Sequence, residues 1–141
     1  VPDELRVNYE IMKQKNKTIF LVDDDYDYLF QTRFLLEKWG YNVITAESQK
    51  EAEKILEKLQ PDLAIFDLMM ESDDSGFILS YKFKRKYPDI PVIIATAVSS
   101  ETGMSFGVNS EEDKKWIKAD LYLEKGVSPE QFKNEIEKLL H

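Results

Sequence analysis

Residues 19–28 read IFLVDDDYDY: four apolar residues run directly into three carboxylates, and a further acid follows two places on. A run such as TIFLV (18–22), β-branched or aromatic and free of charge, has the character of a strand covered on both faces. The same character returns in NVIT (42–45), LAIF (63–66), VIIAT (92–96) and LYLE (121–124). Why a buried strand should end in mutually repelling acids therefore depends on where the ends of all these strands lie.

Between the strands the apolar residues change to a helical period. Ala52, Ile55, Leu56 and Leu59 form one face of SQKEAEKILEKLQ, with Ser48 as its N-cap. Phe132, Ile136, Leu139 and Leu140 do the same for SPEQFKNEIEKLL, where Ser128 caps and Pro129 takes the first helical position. Leu29, Phe34, Leu35 and Leu36 belong to a helix ending at Gly40, and Leu79 and Phe83 lie on another that stops before Pro88. Strand and helix alternate along the chain, which predicts an α/β fold with a parallel sheet between helices and right-handed crossovers.

In such a sheet every strand delivers its C-terminal end to one edge, where open α/β folds place their ligands. Asp23 and Asp24 follow the first strand, Asp67 ends the third, Thr96 ends the fourth and Lys125 follows the fifth. Two carboxylates about 4 Å apart repel by roughly 4 kcal/mol at an effective dielectric near 20, a conflict that a divalent cation removes. An all-oxygen donor set without thiolate or imidazole suits a hard ion such as Mg²⁺, which keeps waters and completes its shell with phosphate oxygen. Lys125 adds a positive charge and Thr96 a hydroxyl for the same phosphate, so an Asp held among them is equipped as a nucleophile in phosphoryl transfer.

The bulk properties are those of one domain. The chain has 141 residues and a formal net charge of −8, which disfavours nonspecific contact of this segment with nucleic acid or an anionic membrane. It has 0 cysteines, and its apolar runs are too short for a membrane span. A soluble cytoplasmic domain is expected. Residues 1–17, VPDELRVNYEIMKQKNK, carry only a weak helical stripe of Leu5, Tyr9 and Met12, and read as a tail, a linker or a short docking helix preceding a domain at 18–141.

LVDDD, PDLAIFDLMM, PVIIATA and ADLYLEKG resemble, in order, the four signature blocks of the receiver domains of two-component response regulators. The resemblance implies a flavodoxin-like, doubly wound sheet of five strands in the order 2-1-3-4-5. It also implies a partner histidine kinase or phosphotransfer protein that donates its phosphoryl group to an aspartate. By motif, Asp67 is the acceptor and Asp24 a direct Mg²⁺ ligand. Asp23 belongs to the acid pocket and the Met69 backbone carbonyl is a further ligand. Thr96 and Lys125 contact the phosphoryl group. Tyr122 matches the aromatic whose rotamer follows the Thr, although a tyrosine there also serves simply to pack the sheet. Such a domain is a signalling module and not a metabolic enzyme. A phosphate-independent interaction module and a phosphatase of the haloacid-dehalogenase type are the competing readings, the latter without the alternating acids and cap domain it needs.

Three departures from the family pattern stand out. Glu71 occupies a place usually held by Pro, in a loop LMMESDDSGF (68–77) one residue longer than usual, which predicts a longer and more acidic cover over the site. From Thr96 to Lys125 is 125 − 96 = 29 positions, an excess that lies in SSETGMSFGVNSEED and predicts a shortened or displaced helix between the fourth and fifth strands. Gly126 follows the lysine in place of Pro, which predicts a trans Lys125–Gly126 bond and a loop that holds Lys125 less firmly.

Overall fold

The computed structural model describes residues 17–97 and 119–140. Five strands, β1 (Thr18–Val22), β2 (Asn42–Ala46), β3 (Leu63–Asp67), β4 (Val92–Thr96) and β5 (Leu121–Glu124), form one sheet in the order β2-β1-β3-β4-β5. Every neighbouring pair is parallel. Four helices are described: α1 (Tyr26–Lys38), α2 (Gln49–Leu56), α3 (Ser75–Lys86) and α4 (Pro129–Leu140). The predicted tail, the long loop after Thr96 and the helix expected before β5 lie outside the described residues.

The continuous apolar runs are explained by burial on both faces. Alternate residues of the central strands point to opposite sides: Ile19, Leu21, Ile65 and Ile93 join Leu29 and Leu36 of α1 and Phe132 and Ile136 of α4. Their neighbours Phe20, Val22, Phe66 and Ile94 join Ala52 and Leu56 of α2 and Leu79 and Phe83 of α3. Phe66 is the pivot of the second cluster, with the rings of Phe20 and Phe83 edge-on to it at 6.2 and 5.8 Å. Each of these strands is thus dry on both sides, and the sheet edge is the place where polar side chains can meet water.

Helix ends follow local chemistry. Asp25 caps α1 by accepting hydrogen bonds from the backbone N–H groups of Asp27 and Tyr28. At the other end Gly40, at φ 97°, makes the left-handed turn of a Schellman motif: Tyr41 N–H donates to the Leu36 carbonyl and Gly40 N–H to that of Glu37. Phe34 lies on α1 but outside the core at 61% exposed, with Phe30 at 64% and Tyr26 at 66% on the same helix. The physical reason is that α1 has one buried stripe, already filled by Leu29, Thr32 and Leu36, and the remaining aromatics fall outside it.

Candidate functional site

The three consecutive acids divide their labour. Asp23 continues the ladder of β1, its N–H donating to the Ala46 carbonyl, and its side chain is only 1% exposed. One oxygen of Asp23, Oδ1, accepts from the N–H of Asp25 at 2.9 Å, so the turn that leaves the strand is tied to the carboxylate itself. Asp24 is exposed, and Asp25 is the cap of α1. Thus only the first two acids belong to the site, and the third starts the helix that follows it.

Asp67 comes to the same place because β3 lies beside β1, on the far side of the point where the strand order reverses. Ligand oxygens of Asp23, Asp24 and Asp67 all lie within 4.8 Å of one another. From the other side Lys125 reaches across: its Nζ is 2.8 Å from Asp23 Oδ2 and 3.1 Å from Asp67 Oδ1. Backbone hydrogen bonds put it there, since Leu68 N–H donates to the Ala95 carbonyl and Lys125 N–H to that of Thr96, aligning the ends of β3, β4 and β5. Thr96 is half-buried at the end of β4, opposite Glu124 in register. Met69 lies two residues beyond Asp67 with its side chain exposed. Tyr122 sits two residues inside the end of β4's partner strand, its ring edge-on to Phe77 at 6.5 Å, where burial pushes its phenol up to about 12.

The electrostatics are those of an underneutralised cluster. Burial first, and the charge of Asp23 second, push the Asp67 carboxyl up to about 7, with Lys125 pulling the other way. Burial alone would lower Lys125, but Asp23 and Asp67 together more than reverse that and raise it. Apart from the ionic approach of Lys125, Asp23 Oδ2 is buried without a hydrogen bond among the described residues. A buried, under-satisfied carboxylate oxygen facing two further carboxylates is the donor set that a hard divalent cation fits, so the residues present suit Mg²⁺.

Two features behind the cluster hold it in shape. A Cβ on Gly76 would meet the Asp67 carbonyl oxygen at 2.5 Å and Leu68 Cα at 2.7 Å, and the Gly76 N–H donates to the Leu68 carbonyl at 2.8 Å. The first turn of α3 therefore presses directly on the backbone that carries Asp67. Gly76→Ala is expected to cost about 1–3 kcal/mol in urea denaturation, because that backbone must give way.

Glu71 does not add its charge to the site as its position predicts. Its two oxygens accept from the N–H groups of Gln49 and Lys50, at 2.8 and 3.1 Å, while Ser48 takes that of Glu51. The loop after β3 is thereby fastened to the N-terminus of α2, where a negative charge also suits the helix dipole. Burial raises the Glu71 carboxyl, but the backbone donors together outweigh it, and the net direction is down. Glu71→Ala should cost about 1 kcal/mol and speed amide exchange at Gln49 and Lys50, read by hydrogen exchange, while leaving α4 protected as before.

Gly126 lies in open space, with nothing within 4 Å of where a Cβ would stand. No described peptide bond is cis, so Lys125–Gly126 is trans as expected. Lys125 is nevertheless not loose: besides the two carboxylates its ammonium lies 4.7 Å from the ring centroid of Tyr28, a residue that the sequence reading did not single out.

A parallel sheet with a carboxylate trio and a lysine at its switch point defines a class: doubly wound α/β domains built for an oxygen-ligated cation and an anionic group. Within that class the chain belongs to the response regulator receiver domains, whose family profile matches residues 19–137. It is 30% identical over 125 residues to the alkaline phosphatase synthesis transcriptional regulatory protein PhoP of Bacillus subtilis (strain 168), covering 89% of this chain and 49% of that protein. The chain thus spans about half the length of this curated relative. Among solved structures, a CheY-like receiver domain protein from Methanospirillum hungatei JF-1 superposes with a TM-score of 0.72 at 29% identity, covering 88% of this chain and 93% of that one. TrrA from Thermotoga maritima, solved in complex with Mg²⁺-BeF, gives 0.72 at 28% identity, over 88% of this chain and 99% of that one. None of the described helices is long and apolar enough to cross a membrane.

Proposed function

We propose that Asp67 accepts a phosphoryl group from the phosphohistidine of a kinase or phosphotransfer protein, and that the resulting change is read by a partner or an output unit. The observation that carries this reading is the contact of Lys125 Nζ with Asp67 Oδ1 at 3.1 Å within a cluster of carboxylates. In the transfer, a carboxylate oxygen of Asp67 forms the new P–O bond while the P–N bond of the donor breaks and its electron pair returns to the imidazole. The product on this chain is an acyl phosphate.

Asp23, Asp24, Asp67 and the Met69 carbonyl would hold Mg²⁺, which when bound neutralises charge on the carboxylates and on the phosphoryl oxygens. Lys125 supplies the protein's own positive charge to the transferred group, and Thr96 a hydroxyl donor. Asp67 attacks and Asp23 does not, because Oδ1 of Asp23 is already committed to the N–H of Asp25. Tyr122, packed on Phe77, is the proposed relay between Thr96 and the face that carries α3. Such a domain acts as a signalling module in the cytoplasm, and its slow loss of phosphate is its only turnover.

Acetyl phosphate with Mg²⁺ tests the reading. Intact mass should show one added phosphoryl group per chain that persists for minutes. A chain that gains none under these conditions would be a phosphate-independent interaction module, and one that consumes acetyl phosphate continuously would be a phosphatase; either result overturns the proposal.

A further inference from the structure

We propose that Tyr28 is a positioning residue for Lys125, its ring forming a neutral seat on which the ammonium rests beside Asp67; this rests on the phosphoacceptor reading above. Lys125 Nζ lies 4.7 Å from the Tyr28 ring centroid, inside the range over which an aromatic face attracts a cation. On its other side are Asp23 Oδ2 at 2.8 Å and Asp67 Oδ1 at 3.1 Å. The lysine side chain is only 15% exposed, so water does little to screen these contacts.

The ring is itself fixed. Tyr28 stands in the first turn of α1, where its N–H donates to the Asp25 cap at 3.3 Å, and its hydroxyl pairs with the side chain of Thr32 one turn further on. Thr32 is 5% exposed, so the tether is held within the core. Past the lysine nothing lies within 4 Å of where a Cβ on Gly126 would stand, and the backbone is held by hydrogen bonds alone, from Lys125 N–H to the Thr96 carbonyl and from Val127 N–H to that of Glu124. The backbone fixes where this long, flexible side chain starts, and the position of its far end is set by what the ammonium touches.

Of the three contacts, the ring alone has no part in holding a cation or receiving the phosphoryl group. A cation and a phosphoryl group would both engage the carboxylates of Asp23 and Asp67, loosening their hold on Lys125 at the step that needs it aimed. Tyr28 stays neutral and in place, so it keeps the ammonium at the sheet edge while its ionic partners change. That is an orienting role, and its absence lowers the rate by allowing misplaced geometries.

Three variants of the full chain test this: Tyr28→Leu removes the ring, Tyr28→Met does so in a flexible side chain should Leu fail to fold, and Tyr28→Phe keeps the ring without the hydroxyl. The first measurement needs neither metal nor phosphate. In EDTA, the Lys125 side-chain protons of the parent should be shifted upfield by the ring in an NMR spectrum; Leu or Met should abolish the shift and Phe retain it. The second is the rate of phosphorylation by acetyl phosphate with saturating Mg²⁺, expected to fall about tenfold in Leu or Met and to be largely restored in Phe. Parental Lys125 shifts in a folded ringless variant would overturn the contact. A parental rate there, or a Phe variant as slow as Leu, would overturn the positioning role. If the parent itself takes no phosphate, the phosphoacceptor reading fails, while the NMR arm still decides whether Tyr28 seats Lys125.

Discussion

Asp67→Asn is expected to remove phosphoryl labelling by acetyl phosphate and Mg²⁺ down to background, a loss of more than ~10³-fold, in a protein that remains folded. The expectation follows from the geometry of the two buried acids. Both face Lys125, at 2.8 Å for Asp23 and 3.1 Å for Asp67, but only Asp23 has an oxygen engaged by the turn that follows it. Removing a nucleophile removes the reaction path, whereas removing a ligand weakens a step that still exists. Asp23→Asn is accordingly expected to label slowly and to need more Mg²⁺, with its label still on Asp67. Peptide mapping after borohydride reduction of the acyl phosphate distinguishes the two cases. A folded Asp67→Asn chain that labels at the parental rate would move the acceptor elsewhere.

How much of this was legible in the sequence depends on whether a residue's neighbours are local or distant. The sheet was legible because a strand buried on both faces is written as an unbroken apolar run, and the order of strands and helices restricts the topology. Asp23, Asp24, Asp67 and Lys125 were legible for the same reason: each follows directly from a strand, and parallel strands end at one edge. The buried stripe of α1 was not legible, because that helix carries more apolar residues than one helix face can bury, and periodicity alone does not say which stripe turns inward. Glu71 was misread in a more instructive way. Its charge was assigned to the nearest site along the chain, but its partners are backbone donors of α2, whose open first turn was visible in the Ser48 cap and went unused. Tyr28 left only a faint signal, a tyrosine and Thr32 one turn apart on the helix that follows the acids. A ring beneath a lysine from the opposite end of the chain has no signature of its own in either segment.

The second large effect is on stability, and its sign is fixed by the carboxyl of Asp67. In the folded protein burial and Asp23 raise it to about 7, whereas an unfolded chain has it near 3.9. Between those values the native state binds the proton and the unfolded state does not, so metal-free stability falls as pH rises through this window. A difference of about three pH units sets a ceiling of roughly 4 kcal/mol, of which about 2–3 kcal/mol is expected to be lost between pH 5 and 8, the pull of Lys125 being already contained in the folded value. The lowered carboxyls of Glu53 and Glu71 act with the opposite sign, but most of their contribution is in place by pH 5, above the ordinary glutamate value. Lys125, raised, loses its contribution only in strongly alkaline solution. Urea denaturation in EDTA should therefore show the parent weakening from pH 5 to 8 and Asp67→Asn, which has no proton to lose there, holding level. Added Mg²⁺ should stabilise the parent increasingly over the same range, because a cation favours the ionised cluster and its apparent affinity rises as Asp67 deprotonates. Superimposable metal-free profiles for parent and Asp67→Asn would mean that Asp67 is ionised throughout and that Lys125 alone neutralises the pair.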